Sequence, residues 1–206
     1  MRSESIIFAL AGMCFGIILG WVMATQQAGR SAAQAPTSSV QPQAQGAGGS
    51  QRQPPALDEG KVQALTTILQ SDPKNANAAL QLANVYFDAE RWEKAIEWYE
   101  RTLALEPRNA DASTDLGVSY YYTNRPDQAL ARFEQSLEID PKHTKTLLNK
   151  GIVLAFGKQD LRGAAAEWQK VVDLAPGSPE GQAARRALEG VAAAHSETRA
   201  TPAGNQ

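Results

Sequence analysis

Four prolines set the frame of this chain: Pro73, Pro107 and Pro141 stand 34 residues apart, and Pro176 follows after 35. A fixed period of that length marks a stack of like supersecondary units and has to be read before any local pattern. Aligned on the prolines, Leu82-Ala83 and Tyr86 superpose on Leu116-Gly117 and Tyr120, and then on Lys150-Gly151 and Leu154. In the second half of each unit Ala95 and Tyr99 match Ala129 and Phe133. They also match Ala164 and Trp168 once a single extra residue is placed in the turn around 157–162.

Each matched position has a physical reason. Two antiparallel helices approach closely only where a side chain at the crossing is very small, which Ala or Gly supplies. The Tyr, Phe, Leu and Trp positions fill the space between neighbouring pairs, and a proline after the second helix ends it by withholding an amide donor. Asn75, Asn109 and Ser178 each stand two residues after a proline, where they can cap the next helix. Asn124 with Pro126, and Gly157, are the expected breakers of the central turns.

In spacing, these small residues, aromatics and prolines resemble the tetratricopeptide repeat family over three units, about half of the chain. The resemblance implies an all-α solenoid of three helix pairs, at 73–106, 107–140 and 141–175. The tryptophan common near the start of each unit is replaced by Ala79, Ser113 and Leu147, and Lys150 stands where a leucine is usual. Half-units flank the array. Val62, Leu65, Ile68 and Leu69 share one helical face in 57–72, and Ala183, Ala184, Ala187, Leu188 and Val191 share one in 176–195. Both read as capping helices, which a solenoid needs to cover its end surfaces. Residues 196–206 are expected to be a disordered tail.

Ahead of the array, every residue from Ile6 to Ala24 is apolar or Gly, matching the roughly 20 residues that span a bilayer core. A transmembrane helix is expected at 6–24. Arg2 and the free amine before it place residues 1–5 on the cytoplasmic side, and Trp21 falls near the outer headgroup level. A cleaved signal peptide fits less well because the apolar run is long. Lipidation at Cys14 fits less well because Met13 precedes it where a small residue is wanted. Gly12, Gly16 and Gly20 would lie on one face of that helix, where a second copy could pack. Residues 25–56 carry only Arg30 and Arg52 as charges, with repeated Pro and Gly. They read as a disordered linker spanning roughly 30 Å. The array is thus expected outside a bacterial inner membrane, in the periplasm.

The charge, 20 basic against 22 acidic residues, offers no concentrated basic face for nucleic acid. The lone Cys14 allows neither an intramolecular disulfide nor a cysteine metal site. His143 and His195 have no partner motif, and no phosphate loop, zinc pattern or nucleophile elbow is present. No enzyme, cofactor or metal is expected. The family resemblance implies a concave groove, lined by first helices, that binds a protein or peptide. Helical spacing assigns to it Asn77, Leu80, Asn84, Phe87 and Asp88, then Asp111, Thr114, Val118, Tyr121 and Tyr122, then Lys145, Leu148, Asn149, Ile152, Ala155 and Phe156. Asn84 and Asn149 are placed to bond a peptide backbone, and Lys145 to meet an acidic group or a terminal carboxylate. The chaperone-binding subset of the family uses a two-carboxylate clamp. Here Leu80, Asp115 and Asn149 replace three of its polar positions and only Asn84 and Lys145 agree, so that ligand class is rejected. The expected role is a membrane-tethered scaffold for complex assembly. A holder of apocytochrome chains in cytochrome c maturation and an oligomerising structural tether are the alternatives.

Overall fold

The computed structural model describes residues 54–200, with the side chains of 194–200 outside that description. The expected membrane helix at 6–24, its Gly12, Gly16 and Gly20, all but the end of the linker, and 201–206 lie outside the described residues. No helix among the described residues is long and apolar enough to cross a membrane.

The described chain is all-α. In order, it comprises α1 (Glu59–Ser71), α2 (Ala76–Asp88), α3 (Trp92–Leu105), α4 (Ala110–Tyr122) and α5 (Pro126–Ile139). Then come α6 (Thr144–Ile152), running into a π-helical turn at Val153–Gly157, α7 (Leu161–Leu174) and α8 (Pro179–Ala200). The pairs α2/α3, α4/α5 and α6/α7 are the three repeat units, and α1 and α8 flank them.

Helix starts and stops follow the capping residues. Asn75 Oδ1 accepts from the Ala78 N–H and Asn109 Oδ1 from the Ala112 N–H, both at 2.9 Å, while Ser178 Oγ accepts from the Gly181 N–H at 3.0 Å. Asp72, Glu106, Asp140 and Ala175, each just before a proline, close the last turns by donating to carbonyls four residues back. The proline that follows cannot continue the ladder. α8 runs to Ala200, past the expected end at 195, so the first part of the expected tail is helical.

Within each pair the chain reverses through one left-handed residue: Glu90 (φ 58°), Asn124 (φ 61°) and Gln159 (φ 58°). The Arg91 N–H donates to the Tyr86 carbonyl and the Arg125 N–H to the Tyr120 carbonyl, at 2.8 and 2.9 Å, the wide closure of a Schellman end. In the third unit the same closure runs from Asp160 to Leu154, one residue wider. The extra residue of that unit therefore lies between Leu154 and Asp160, mainly inside the π turn, where the Lys158 N–H reaches back five residues to Val153. The turn around 157–162, where the extra residue is expected, overlaps this stretch, which begins earlier, in the π turn. The expected role of Gly157 is corrected, since the left-handed residue is Gln159 and no glycine has positive φ among the described residues. Gly157 is small for packing instead: a Cβ there would lie 3.0 Å from Pro126 Cβ and 3.3 Å from the Tyr121 ring.

Ala83, Ala95, Ala129 and Ala164 are fully buried at the crossings, and Tyr99, Phe133 and Trp168 fill the space beside them. Each such ring stabilises the fold by about 2–3 kcal/mol through burial. The core falls into three apolar clusters: Leu65 to Val85 on α1 and α2, Ala83 to Phe133 with Val153 in the middle, and Leu147 to Ala184 at the end. Of the stripe expected on α1, Leu65 and Leu69 are buried, but Ile68 is 43 % exposed at its edge. Lys150, which replaces a leucine, is matched by a partner: its Nζ lies 3.4 Å from the buried Glu167 carboxylate, which Lys170 also holds at 2.9 Å.

Successive first helices touch, α2 with α4 and α4 with α6, whereas packing of that extent does not join α3 to α5 or α5 to α7 among the described residues. The first helices thus form the inner, concave wall and the second helices the outer one.

Candidate functional site

The inner wall carries most of the residues the sequence assigns to a groove, but in several environments. Asn77 and Asp88 on α2 and Asp111 on α4 are exposed, and Leu80, Val118 and Ile152 are half-buried, each with one side against the core. Asn149 donates to the Lys145 carbonyl at 2.8 Å, and Asn84 Oδ1 accepts from the buried Tyr99 hydroxyl at 2.7 Å. The acceptor side of Asn84 is therefore spent on the fold, leaving its amide N–H groups for a ligand.

Three assigned residues belong to the interior. Thr114 is 0 % exposed, Leu148 is 7 % exposed within the C-terminal cluster, and Ala155 is buried beside it. Helical spacing puts them on the inner face; the third unit, stacked on the second, covers Thr114, while Leu148 and Ala155 are enclosed in the cluster that α6 forms with α7 and α8. Thr114 joins a buried set of hydroxyls between the second and third units. It lies 2.6 Å from Thr146 Oγ1 and 3.0 Å from Ser136 Oγ, and Ser136 and Thr146 are 2.9 Å apart. Thr114 and Ser136 both donate to the Ala110 carbonyl, at 2.8 and 2.9 Å. Thr146 Oγ1 also lies 2.6 Å from His143 Nδ1, and the Nε2 edge of that ring faces Asp111 at 3.3 Å.

Carboxylate, imidazole and hydroxyl in that order have the outline of an activated nucleophile. Thr146 is 0 % exposed, however, and its oxygen is shared with Thr114 and Ser136, so no substrate can reach it. The network is an interface between repeats. His143 stands at the cap position of α6 but makes no capping bond.

Phe87, Tyr121 and Tyr122 gather at the turn-side rim. Phe87 meets the Trp92 ring edge-on at 5.1 Å, Trp92 stacks on Tyr122 at 4.3 Å, and Tyr121 lies 5.8 Å from Tyr122. Trp92 sits on a second helix, so this cluster bridges both layers, and Phe156 on the third unit packs against the C-terminal cluster.

Lys145 is committed inside the wall. Its Nζ lies 2.8 Å and 3.0 Å from the two oxygens of Asp115 on α4, whose side chain is only 14 % exposed. Burial pushes the Asp115 carboxyl above its ordinary value and Lys145 pulls it part of the way back. Asp88 is also raised by burial, against the pull of Lys61 and Lys145. The phenol of Tyr99 is raised first by burial and then by Asp115, Asp88 and Asp111, so carboxylates from α2 and α4 act on the same group. Asp115, which the family resemblance sets at a clamp position, is not among the residues that helical spacing assigns to the groove. A usable signal was present: once the period is known, opposite charges about 30 residues apart face each other on adjacent repeats. Asp115 with Lys145, Glu93 with Arg125 and Asp127 with Lys158 all do so.

Among the described residues no cluster of His, Cys, Asp and Glu could hold a metal ion. The Asp111–His143 edge opens on a shallow depression lined by Glu106, Arg108, Asn109 and Asp140.

The comparison with curated proteins finds no match. Among solved structures, MamA is similar at 16 % identity and TM-score 0.54, over 69 % of this chain and 91 % of that one. The Sgt2 repeat domain from Aspergillus fumigatus is similar at 21 % and 0.56, over 64 % and 87 %. The first repeat domain of Spaghetti (RPAP3), bound to HSP90 peptide SRMEEVD, is similar at 22 % and 0.54, over 61 % and 96 %. At such identities the likeness is one of fold. Two family models, each described as tetratricopeptide repeat, match residues 74–142 and 114–179. Together they span just over half of the chain, which belongs to the tetratricopeptide repeat family.

Proposed function

We propose that this protein is a membrane-tethered scaffold whose concave wall holds a segment of another protein during complex assembly. The observation that carries the reading is the inner wall itself: apolar Leu80, Val118 and Ile152 remain half-exposed there, beside the amide of Asn84. A surface of apolar anchors with amide N–H groups between them suits an extended peptide better than a small substrate. The peptide held by the RPAP3 repeat domain supports this use of the fold. The apolar run at 6–24 and the Pro- and Gly-rich stretch after it support an anchor in a bacterial inner membrane and a flexible reach into the periplasm.

The test is site-specific photocrosslinking of the full chain in native membranes. A crosslinker at Asn77 or Asp88, on the inner wall, is expected to capture one protein partner. The same group at Glu97 or Glu134, exposed on the second helices, is expected to capture none. Capture from the outer positions alone would reject the groove.

A further inference from the structure

We infer that the segment taken up by the concave wall is cationic, its lysine or arginine side chains set among Asp88, Asp111 and Asp115 and its apolar residues against Leu80, Val118 and Ile152. The inference rests on the scaffold reading and names the chemistry of its ligand.

The three first helices carry five charged residues: Asp88, Asp111, Asp115, Lys145 and Lys150. Both lysines are already engaged, Lys145 by the two oxygens of Asp115 and Lys150 by Glu167 on the helix behind. An arriving acidic group would have to break one of these pairs. Two of the carboxylates remain without a full counter-charge. Asp88 makes no hydrogen bond or ion pair among the described residues, although Lys61 and Lys145 act on it from farther off. Asp111 meets only the Nε2 edge of His143, at 3.3 Å, and its side chain is 70 % exposed.

Burial is the largest cause that raises the Asp88 and Asp115 carboxyls, against the pull of Lys145 on both and of Lys61 on Asp88, so both groups are partly withdrawn from water. A peptide cation placed there would replace water beside partly desolvated carboxylates, where Coulomb attraction is stronger than at an open surface. The apolar positions lie on the same three helices, so a segment alternating basic and apolar side chains meets both at once.

The experiment uses the full chain in detergent and three labelled peptides that share one pattern of Leu and Tyr but carry Lys, Gln or Glu between them, read by fluorescence anisotropy. The expected order of affinity is Lys, then Gln, then Glu, with the differences collapsing at about 1 M salt, where the Debye length is ~3 Å. Asp88→Asn with Asp111→Asn should weaken the Lys peptide about fivefold and leave the Gln peptide unchanged, as two partly exposed pairs would give. Asp88→Asn alone, which removes no bond of the fold, should give part of that loss. Lys145→Ala separates the alternatives by sign. It should tighten the Lys peptide by freeing Asp115, whereas a site for acidic ligands would lose affinity. Tightest binding of the Glu peptide, or weaker Lys-peptide binding by Lys145→Ala, overturns the cationic ligand while groove crosslinking stands. Failure of all three peptides together with absence of inner-wall crosslinks overturns the scaffold reading beneath it.

Discussion

Gly117 and Gly151 are glycines because of what faces them. A Cβ at Gly117 would run into the Phe133 ring, and one at Gly151 into the indole of Trp168, whose Nε1–H donates to the Leu148 carbonyl at 3.1 Å. Neither ring can withdraw, since both are buried in the pair. Gly117→Ala and Gly151→Ala should each cost about 1–3 kcal/mol as overpacking, read as lowered urea midpoints; the second should also shift Trp fluorescence. An unchanged midpoint would mean that the helices part freely at the crossing. Asp115 gives a pH prediction. Its carboxyl is raised above 3.8 by burial, against the pull of Lys145, so the folded chain holds that proton more tightly than the unfolded chain. Its contribution is then full at low pH and is lost as pH climbs from about 4 through the raised value. Asp115→Asn cannot titrate, so stability of the wild type relative to the variant should fall across that window and then level off. A relative stability that rises with pH would refute the assignment. Asp88 carries the same sign.

At the scale of the helix, the three reversals place Glu90, Asn124 and Gln159 in a conformation that costs an ordinary L-residue about 1–2 kcal/mol. Glycine avoids that cost, less its own entropic penalty of about 0.5–1 kcal/mol. Glu90→Gly and Gln159→Gly should therefore raise the melting temperature, and Asn124→Gly should raise it less because Asn already tolerates this region. Calorimetry of the three variants checks the ranking. These same elements show what the sequence could convey. The proline period, the small crossing residues and the caps Asn75, Asn109 and Ser178 were legible because each acts within its own helix pair. The location of the extra residue was legible only to within the turn, because Gly157 looks like a breaker while the π turn at Val153–Gly157 has no distinctive composition. The burial of Thr114, Leu148 and Ala155 was not legible. Helical spacing gives the direction of a side chain, but whether the following element, a repeat for Thr114 and the flanking α8 for Leu148 and Ala155, covers it depends on how the two stack. Asn84 and Lys145 were read as groove residues, yet their partners, Tyr99 and Asp115, lie 15 and 30 residues away and emerge only on stacking.

Across the whole array, stability is a sum of units and of the interfaces between neighbours, and the two inner interfaces differ in chemistry. The first and second units share one apolar cluster running from Ala83 to Phe133. The second and third units meet through the hydroxyls of Thr114, Ser136 and Thr146, the His143–Asp111 contact and the Asp115–Lys145 pair. Val153, which enters the middle cluster, and Leu137, which packs on the C-terminal one, are the main apolar crossings. Satisfied polar groups give each contact a fixed geometry, but they contribute less net free energy than the apolar area they displace. The weakest link in the array is therefore between α5 and α6. Native-state hydrogen exchange should show α6, α7 and α8 opening as one unit at lower free energy than α2 to α5. Raising the salt to about 1 M, which shortens screening to ~3 Å, should lower protection in the C-terminal unit more. Thr146→Val, which keeps the shape but strands its hydroxyl partners, should widen the gap by about 1–3 kcal/mol. Equal protection on both sides of α5 under all three conditions would show that the array unfolds as a single body. Because Asp115 and Lys145 face each other across this link, a ligand lying along the inner wall would contact both units, and its binding should bring their protection together.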